Sequence, residues 1–228
     1  MTTVIYLPAR GGSKRIPRKN IRPFHGSPAL GHVITTIKKM PIEASIVVST
    51  DDSEVAHVAK EYGAIRLPRK LELADDNSDL LTVIHHDLPL ILDLFPDTKV
   101  LACVLPTALL MWDNDLCQAI ELVSRSPETF VVSVGRFTYP IQRALQRDHV
   151  GTVSMIAPEN YGKRSQDLEP RFHDAGQFYV GSPQSWSARR TMFDPPPNSH
   201  LIDEWRVCDI DVEDDWLAAE ARWRLHTS

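Results

Sequence analysis

Apolar positions along the chain fall into short β-branched runs separated by stretches with helical spacing. Val4 to Leu7 is an apolar run that stops at Pro8 and predicts a buried strand. Ser27-Pro28 has the form of an N-cap followed by a first-turn proline. It predicts a helix to about Lys39 with Leu30, Ile34 and Ile37 on one face. Residues 45–50 read as a central strand. Ser53 then caps a helix carrying Val55, Val58, Ala59 and Tyr62, and Gly63 sits where a C-terminal glycine belongs. Asn77 or Ser78 opens a helical segment over 79–95, which Pro89 should kink or break. Residues 99–105 and 129–134 predict strands, and between them Asp113 caps a helix whose face is Leu116, Ala119, Ile120 and Val123. Ser182-Pro183 caps a short helix. Residues 194–199, with three consecutive prolines, read as a surface loop. Residues 206–210 predict the last strand, and a final helix from Val212 turns Trp216, Ala219 and Trp223 inward.

Strands alternating with amphipathic helices predict an α/β fold: a doubly wound, Rossmann-like and mostly parallel sheet with helices on both faces. Between 135 and 180 the alternation lapses into a segment rich in Arg, Gln, Pro and aromatics. It reads as an irregular insertion with short strands, serving a second substrate and a subunit contact, within a single domain over 1–228. Ligands of such sheets bind beyond the carboxyl ends of the strands. That rule gathers residues 10–20, Thr50-Asp51 and Pro106-Thr107 along one crevice.

Composition narrows the class. Apolar content of 43% and charged content of 24% suit a soluble globular domain. A net charge of −5 disfavours a nucleic-acid binder. No apolar run approaches the roughly 20 residues that span a bilayer, and the N-terminus lacks a signal-peptide pattern. Cys103, Cys117 and Cys208 are odd in number and far apart, as expected of free thiols in the cytoplasm. The expected partners therefore include neither nucleic acid nor a membrane.

Against this acidic background, residues 10–22 hold six Lys or Arg and no Asp or Glu. Gly11-Gly12 lets the backbone approach a ligand, and cations on such a loop suit a polyphosphate. The spacing is neither the P-loop nor the dinucleotide fingerprint. Near the other end, Asp209-Ile210-Asp211 places two carboxylates on one side of the predicted strand. They could hold Mg²⁺, a hard cation that prefers oxygen. Alternatively, Asp211 caps the final helix.

The string from Ile5 to Asn20 resembles the signature of the sugar-acid cytidylyltransferases, the family that includes CMP-N-acetylneuraminate synthetase. The resemblance extends over residues 4 to about 220 and implies a nucleotidyltransferase. Arg10, Gly11, Gly12, Ser13, Lys14, Lys19 and Asn20 would hold the phosphates of CTP, with Arg10 and Lys19 among the catalytic groups. Asp209 and Asp211, followed by Asp215-Trp216, look like the family's metal motif, which implies Mg²⁺ as cofactor. Arg69 matches the arginine that helps read cytosine, with Ser78 or Thr82 adding a contact. Residues 105–109 lack the family's Gln and its proline, which leaves Thr107 as the candidate there. Residues 140–145, 164–170 and 173–179 resemble the pseudaminic acid branch. Arg143 and Arg164 suit a carboxylate clamp. Gln166, Asp167, His173, Asp174, Gln177 and Tyr179 offer donors and acceptors to a sugar. The implied reaction joins CTP and a nine-carbon sugar acid, giving the CMP-sugar and pyrophosphate, in a homodimer. Neuraminate or legionaminate is the alternative acceptor. A silent nucleotide-binding relative is the alternative class, and it would be expected to lose the loop cations or the Asp pair, both of which are present.

Overall fold

The computed structural model describes residues 2–75 and 78–227. Asn77, one of two residues expected to open the third helix, lies outside them. In chain order the strands are β1 (Thr2–Pro8), β2 (Pro23–Phe24), β3 (Ser27–Pro28), β4 (Ala44–Thr50), β5 (Ile65–Pro68), β6 (Thr98–Val104), β7 (Phe130–Arg136), β8 (Leu145–Arg147), β9 (Val153–Met155), β10 (Phe172–Gly181) and β11 (Asn198–Leu201). The helices are α1 (Ala29–Lys38), α2 (Ser53–Glu61), α3 (Leu80–Leu94), α4 (Asp113–Arg125), α5 (Pro183–Ala188) and α6 (Glu213–Thr227).

Seven strands form one sheet in the order β11-β7-β10-β6-β1-β4-β5. β1 runs parallel to β4 and β6, β4 to β5, and β11 to β7, while β10 is antiparallel to both β6 and β7. Side chains alternate across a strand, so each strand supplies two cores. Ile5, Leu7, Val48, Ala102 and Phe178 pack beneath α1, α2, α4 and α6. Val4, Tyr6, Val47, Leu101 and Cys103 face Leu81, Ile84, Leu88 and Trp186 of α3 and α5. The fold is thus doubly wound and mostly parallel, as the periodicity predicts.

Several boundaries differ from expectation. Ser27 does not cap α1, because Ser27-Pro28 pairs with Pro23-Phe24 and Pro28 holds the N-cap position. Asp52, one residue before Ser53, caps α2: its Oδ1 accepts from the amides of Glu54 and Val55, both at 2.9 Å. Trp112 rather than Asp113 precedes α4, whose first turn gains Asp113 and Asp115 as favourable charges near its positive end. α3 runs through Pro89 unbroken, with Asp79 as its N-cap. Pro89 faces solvent, where the carbonyl it leaves unpaired is open to water. β5 was not foreseen, and residues 198 and 199 of the expected proline loop belong to β11.

Two differences bear on function. The irregular insertion covers 137–171, not 135–180, because residues 172–181 are a buried sheet strand. Residues 207–211 form no strand. β11 instead takes the place beside β7, and Ile210 alone is buried from that stretch.

Candidate active site

β1 delivers the glycine loop at its carboxyl end, beside the turn after β6. A cavity of about 210 Å³ opens there, lined by Arg10, Ser13, Lys14, Lys19 and Asn20 of the loop, by Thr107 and by Asp211. The loop's shape has local causes. The Gly11 amide donates to Asp51 Oδ1 at 3.1 Å, and a Cβ on Gly11 would stand 2.5 Å from Asp52 Oδ2, so only glycine fits. Gly12 faces open space. Buried Asn20 donates through Nδ2 to the Arg10 carbonyl at 2.8 Å and closes the loop on itself. Arg10 reaches across the crevice to the Asp75 carbonyl at 2.6 Å.

The loop cations are braced by acids from the turn and first residues of α2 and from the stretch entering α6, which reading the loop alone does not reveal. Arg18, in a left-handed conformation (φ 57°), donates to Asp52 Oδ2 at 2.6 Å and to Glu54 at 2.7 Å. Arg22 forks onto Glu213 at 2.6 and 2.7 Å while covering the Trp216 ring. Arg15 Nη2 donates to Asp211 Oδ1 at 2.7 Å. Lys19 Nζ donates to the Ile210 carbonyl at 2.6 Å and lies 3.9 Å from Asp211. Burial pushes the Lys19 ammonium down, against the opposing pull of Asp211 and Asp209. The available signal was charge complementarity: Asp51-Asp52 and Asp209–Glu213 are the acidic clusters that follow elements at this edge.

The Asp209 carboxyl is pushed above its usual range, first by desolvation and then by Asp211, with Lys19 opposing and Asp174 and Asp215 adding repulsion. Asp211 does not cap α6. Asp215 Oδ2 accepts from the amides of Asp211 and Val212, both at 2.9 Å, and these bonds hold the Asp215 carboxyl below its usual value. That frees the Asp211 side chain to face the loop. Among the described residues, no group of three or more His, Cys, Asp or Glu forms a metal cage. Two repelling carboxylates near a loop rich in cations still suit Mg²⁺, which takes few protein ligands and completes its shell with water or substrate oxygens.

The remaining candidates divide. Asp174 joins the acidic edge, with Oδ1 accepting from the Gly176 amide at 2.9 Å and Oδ2 from the Tyr179 hydroxyl at 2.7 Å. Burial, then the Asp174 charge, pushes the Tyr179 phenol up. His173 lies beside them, its Nδ1 2.8 Å from the Asp174 carbonyl oxygen and its ring against Phe137. Gln177, expected at the sugar, is turned inward: it is 2% exposed and donates through Nε2 to the Arg206 carbonyl at 2.8 Å. Arg69 is buried and donates to Ser49 Oγ and O, both at 3.1 Å. Ser78 closes its own turn through Asp75 Oδ1 at 2.8 Å. Arg143 donates to Ser165 Oγ at 3.3 Å and Arg164 forks onto Asp167 at 2.8 and 3.2 Å, both within the insertion. Gln166 lines a separate cavity there with Arg136 and Thr138. Within one chain, none of these four lines the loop cavity.

Residues 4–134, more than half of the chain and including the whole glycine loop, match the model of a family described as cytidylyltransferase. The chain belongs to that family. This cytidylyltransferase is 34% identical to the pseudaminic acid cytidylyltransferase of Campylobacter jejuni, over 99% of this chain and 98% of the relative. It is 29% identical to the CMP-N,N'-diacetyllegionaminic acid synthase of Legionella pneumophila, with the same coverage. Its fold is similar to that of a solved CMP:2-keto-3-deoxy-manno-octonic acid synthetase complexed with CTP, with TM-score 0.73, 12% identity and 99% of each chain covered. The cytidylyltransferase is a CTP-dependent nucleotidyltransferase. Among its described residues, no helix is long and apolar enough to cross a membrane.

Proposed function

We propose that this cytidylyltransferase transfers the CMP group of CTP to pseudaminic acid, releasing pyrophosphate. The observation that carries the reading is the single cavity in which the glycine loop and Thr107 face Asp211, in a chain alike from end to end to a pseudaminic acid cytidylyltransferase. Phosphoryl-type transfer depends on positioning and on neutralising charge, and the site offers both. Loop amides and the Arg10, Lys14 and Lys19 cations would take the triphosphate and stabilise the leaving pyrophosphate. Lys19 bonds the Ile210 carbonyl and lies 3.9 Å from Asp211, so it would stand between the phosphates and the Asp pair. Asp209 and Asp211 would hold Mg²⁺, which when bound shields phosphate charge and polarises the reacting oxygens. Asp174, fixed by Tyr179, borders this edge and can accept from a sugar hydroxyl.

The acceptor's carboxylate needs a cationic partner. Arg164 and Arg143 are proposed for it, and in one chain they sit in the insertion away from the cavity. The insertion also leaves Tyr139 83%, Tyr161 76% and Ile156 64% exposed, as expected of a subunit contact. A homodimer is therefore part of the proposal, as is a reducing, cytoplasmic setting for the three free thiols. The test is pyrophosphate release with CTP and a panel of nonulosonic acids. Pseudaminic acid should be consumed and N-acetylneuraminate consumed poorly, because sites that hydrogen-bond a substrate group reject analogues that lack it. Equal turnover of both would refute the acceptor and leave the family untouched.

A further inference from the structure

The stretch 207–211 carries both metal-site carboxylates and belongs to no strand or helix. Its main chain, with the residue on either side of it, is held instead by four side chains from β10, the loop and α6. Gln177 of β10 donates to the Arg206 carbonyl at 2.8 Å. Lys19 of the loop donates to the Ile210 carbonyl at 2.6 Å. Asp215 accepts from Asp211 and Val212. Arg222 of α6 donates through Nη1 to the Val207 carbonyl at 2.6 Å. Of these four, Lys19 and Asp215 are bound up with the site and Gln177 with the core. Arg222 is half-buried and stands apart from the nucleotide cavity, lining a different one of about 900 Å³ with His173, Trp205 and Val207.

We infer that Arg222 is a positioning residue for Asp209 and Asp211, fixing the main chain two residues before the first carboxylate. The inference rests on the reading that this pair holds the divalent cation. The physical need is plain: two carboxylates separated by one residue repel, and a segment without ladder hydrogen bonds depends on side-chain tethers to hold its course. A guanidinium bonded to a carbonyl is a charge-assisted contact, among the stronger hydrogen bonds a protein makes. Ile210 is buried between the two as the pivot, and Asp211 faces the loop through Arg15.

The experiment compares the wild type with Arg222→Met, which keeps the apolar stem, and Arg222→Lys, which keeps a cationic donor. Hydrogen exchange of the metal-free proteins should quicken roughly tenfold in Arg222→Met at residues 208–212 alone, with the sheet and the rest of α6 unchanged. The Mg²⁺ concentration for half-maximal pyrophosphate release should rise by a similar factor. The KM for CTP at saturating Mg²⁺ should hold, and Arg222→Lys should recover most of the loss. Unchanged exchange at 208–212, or exchange rising equally throughout α6, would overturn the positioning role. Wild-type activity in EDTA would refute the metal reading instead, whereas the exchange measurement, made without metal, bears on the tether alone.

Discussion

At Asp209 the folded chain works against an ionised side chain. Its carboxyl is raised by desolvation and by Asp211. A raised folded-state value means that ionisation is less favourable in the folded chain than in the unfolded one. Without metal, stability is therefore lost as pH rises from the ordinary carboxylate range through the raised value. Asp209→Asn should match or exceed the wild type in thermal stability at neutral pH in EDTA, while losing turnover by orders of magnitude. Melting curves and pyrophosphate release on the same preparations check both halves, and a clear fall in melting temperature would contradict the repulsion argument. At the glycines the contrast is steric. Gly11→Ala must displace Asp52, whereas Gly12→Ala meets nothing, so calorimetry should find CTP affinity lowered at least tenfold in the first and the fold intact in the second. The loop was legible as a distinct feature because its glycines and cations stand out from an acidic chain, and it lies within the matched family region. The partners of those cations were not, since Arg15 with Asp211 and Arg22 with Glu213 meet only in the folded chain.

Elements were read well where one face is apolar and poorly where burial is polar. α1, α2 and α4 announce themselves by spacing. β10 does not, because His173, Asp174 and Gln177 occupy a central strand and spend their polar groups on the acidic edge and on Arg206. The apolar alternation of 206–210 misled in the other direction, since Ile210 is buried without a ladder and β11 holds the neighbouring position. The cap of α2 joins element to site. Asp52 closes that helix and braces Arg18, and the Arg18 bonds are the first cause of its lowered carboxyl. Stability from this lowered group is present above the ordinary carboxylate range and is lost as pH falls through the lowered value. Asp52→Ala should cost about 1–2 kcal/mol at neutral pH, with the deficit shrinking in acid, and should weaken CTP binding because the glycine loop rests on the same side chain. Denaturation at two pH values measures the first effect and calorimetric titration of CTP the second.

At the scale of the whole molecule, the doubly wound sheet followed from the order of elements, but its one antiparallel strand did not, because strand direction is a property of topology rather than of composition. The apolar surface of the insertion makes association the expected state. Tyr139→Glu with Tyr161→Glu should shift sedimentation from dimer to monomer at micromolar concentration, with the central fold unchanged by circular dichroism. A wild type that sediments as a monomer would remove the premise. The antiparallel strand has a further consequence. β7 leaves the sheet at Arg136 and β10 returns at Phe172, and these two residues are paired neighbours, with the Phe137 amide bonded to the Arg171 carbonyl at 3.0 Å. Whatever lies between starts and finishes at one spot on the scaffold, so its length and composition can drift without straining a strand. Such a graft point lets a cassette be exchanged while the sheet around it keeps its register. Transplanting 138–170 between relatives is then a swap that the sheet itself would scarcely register.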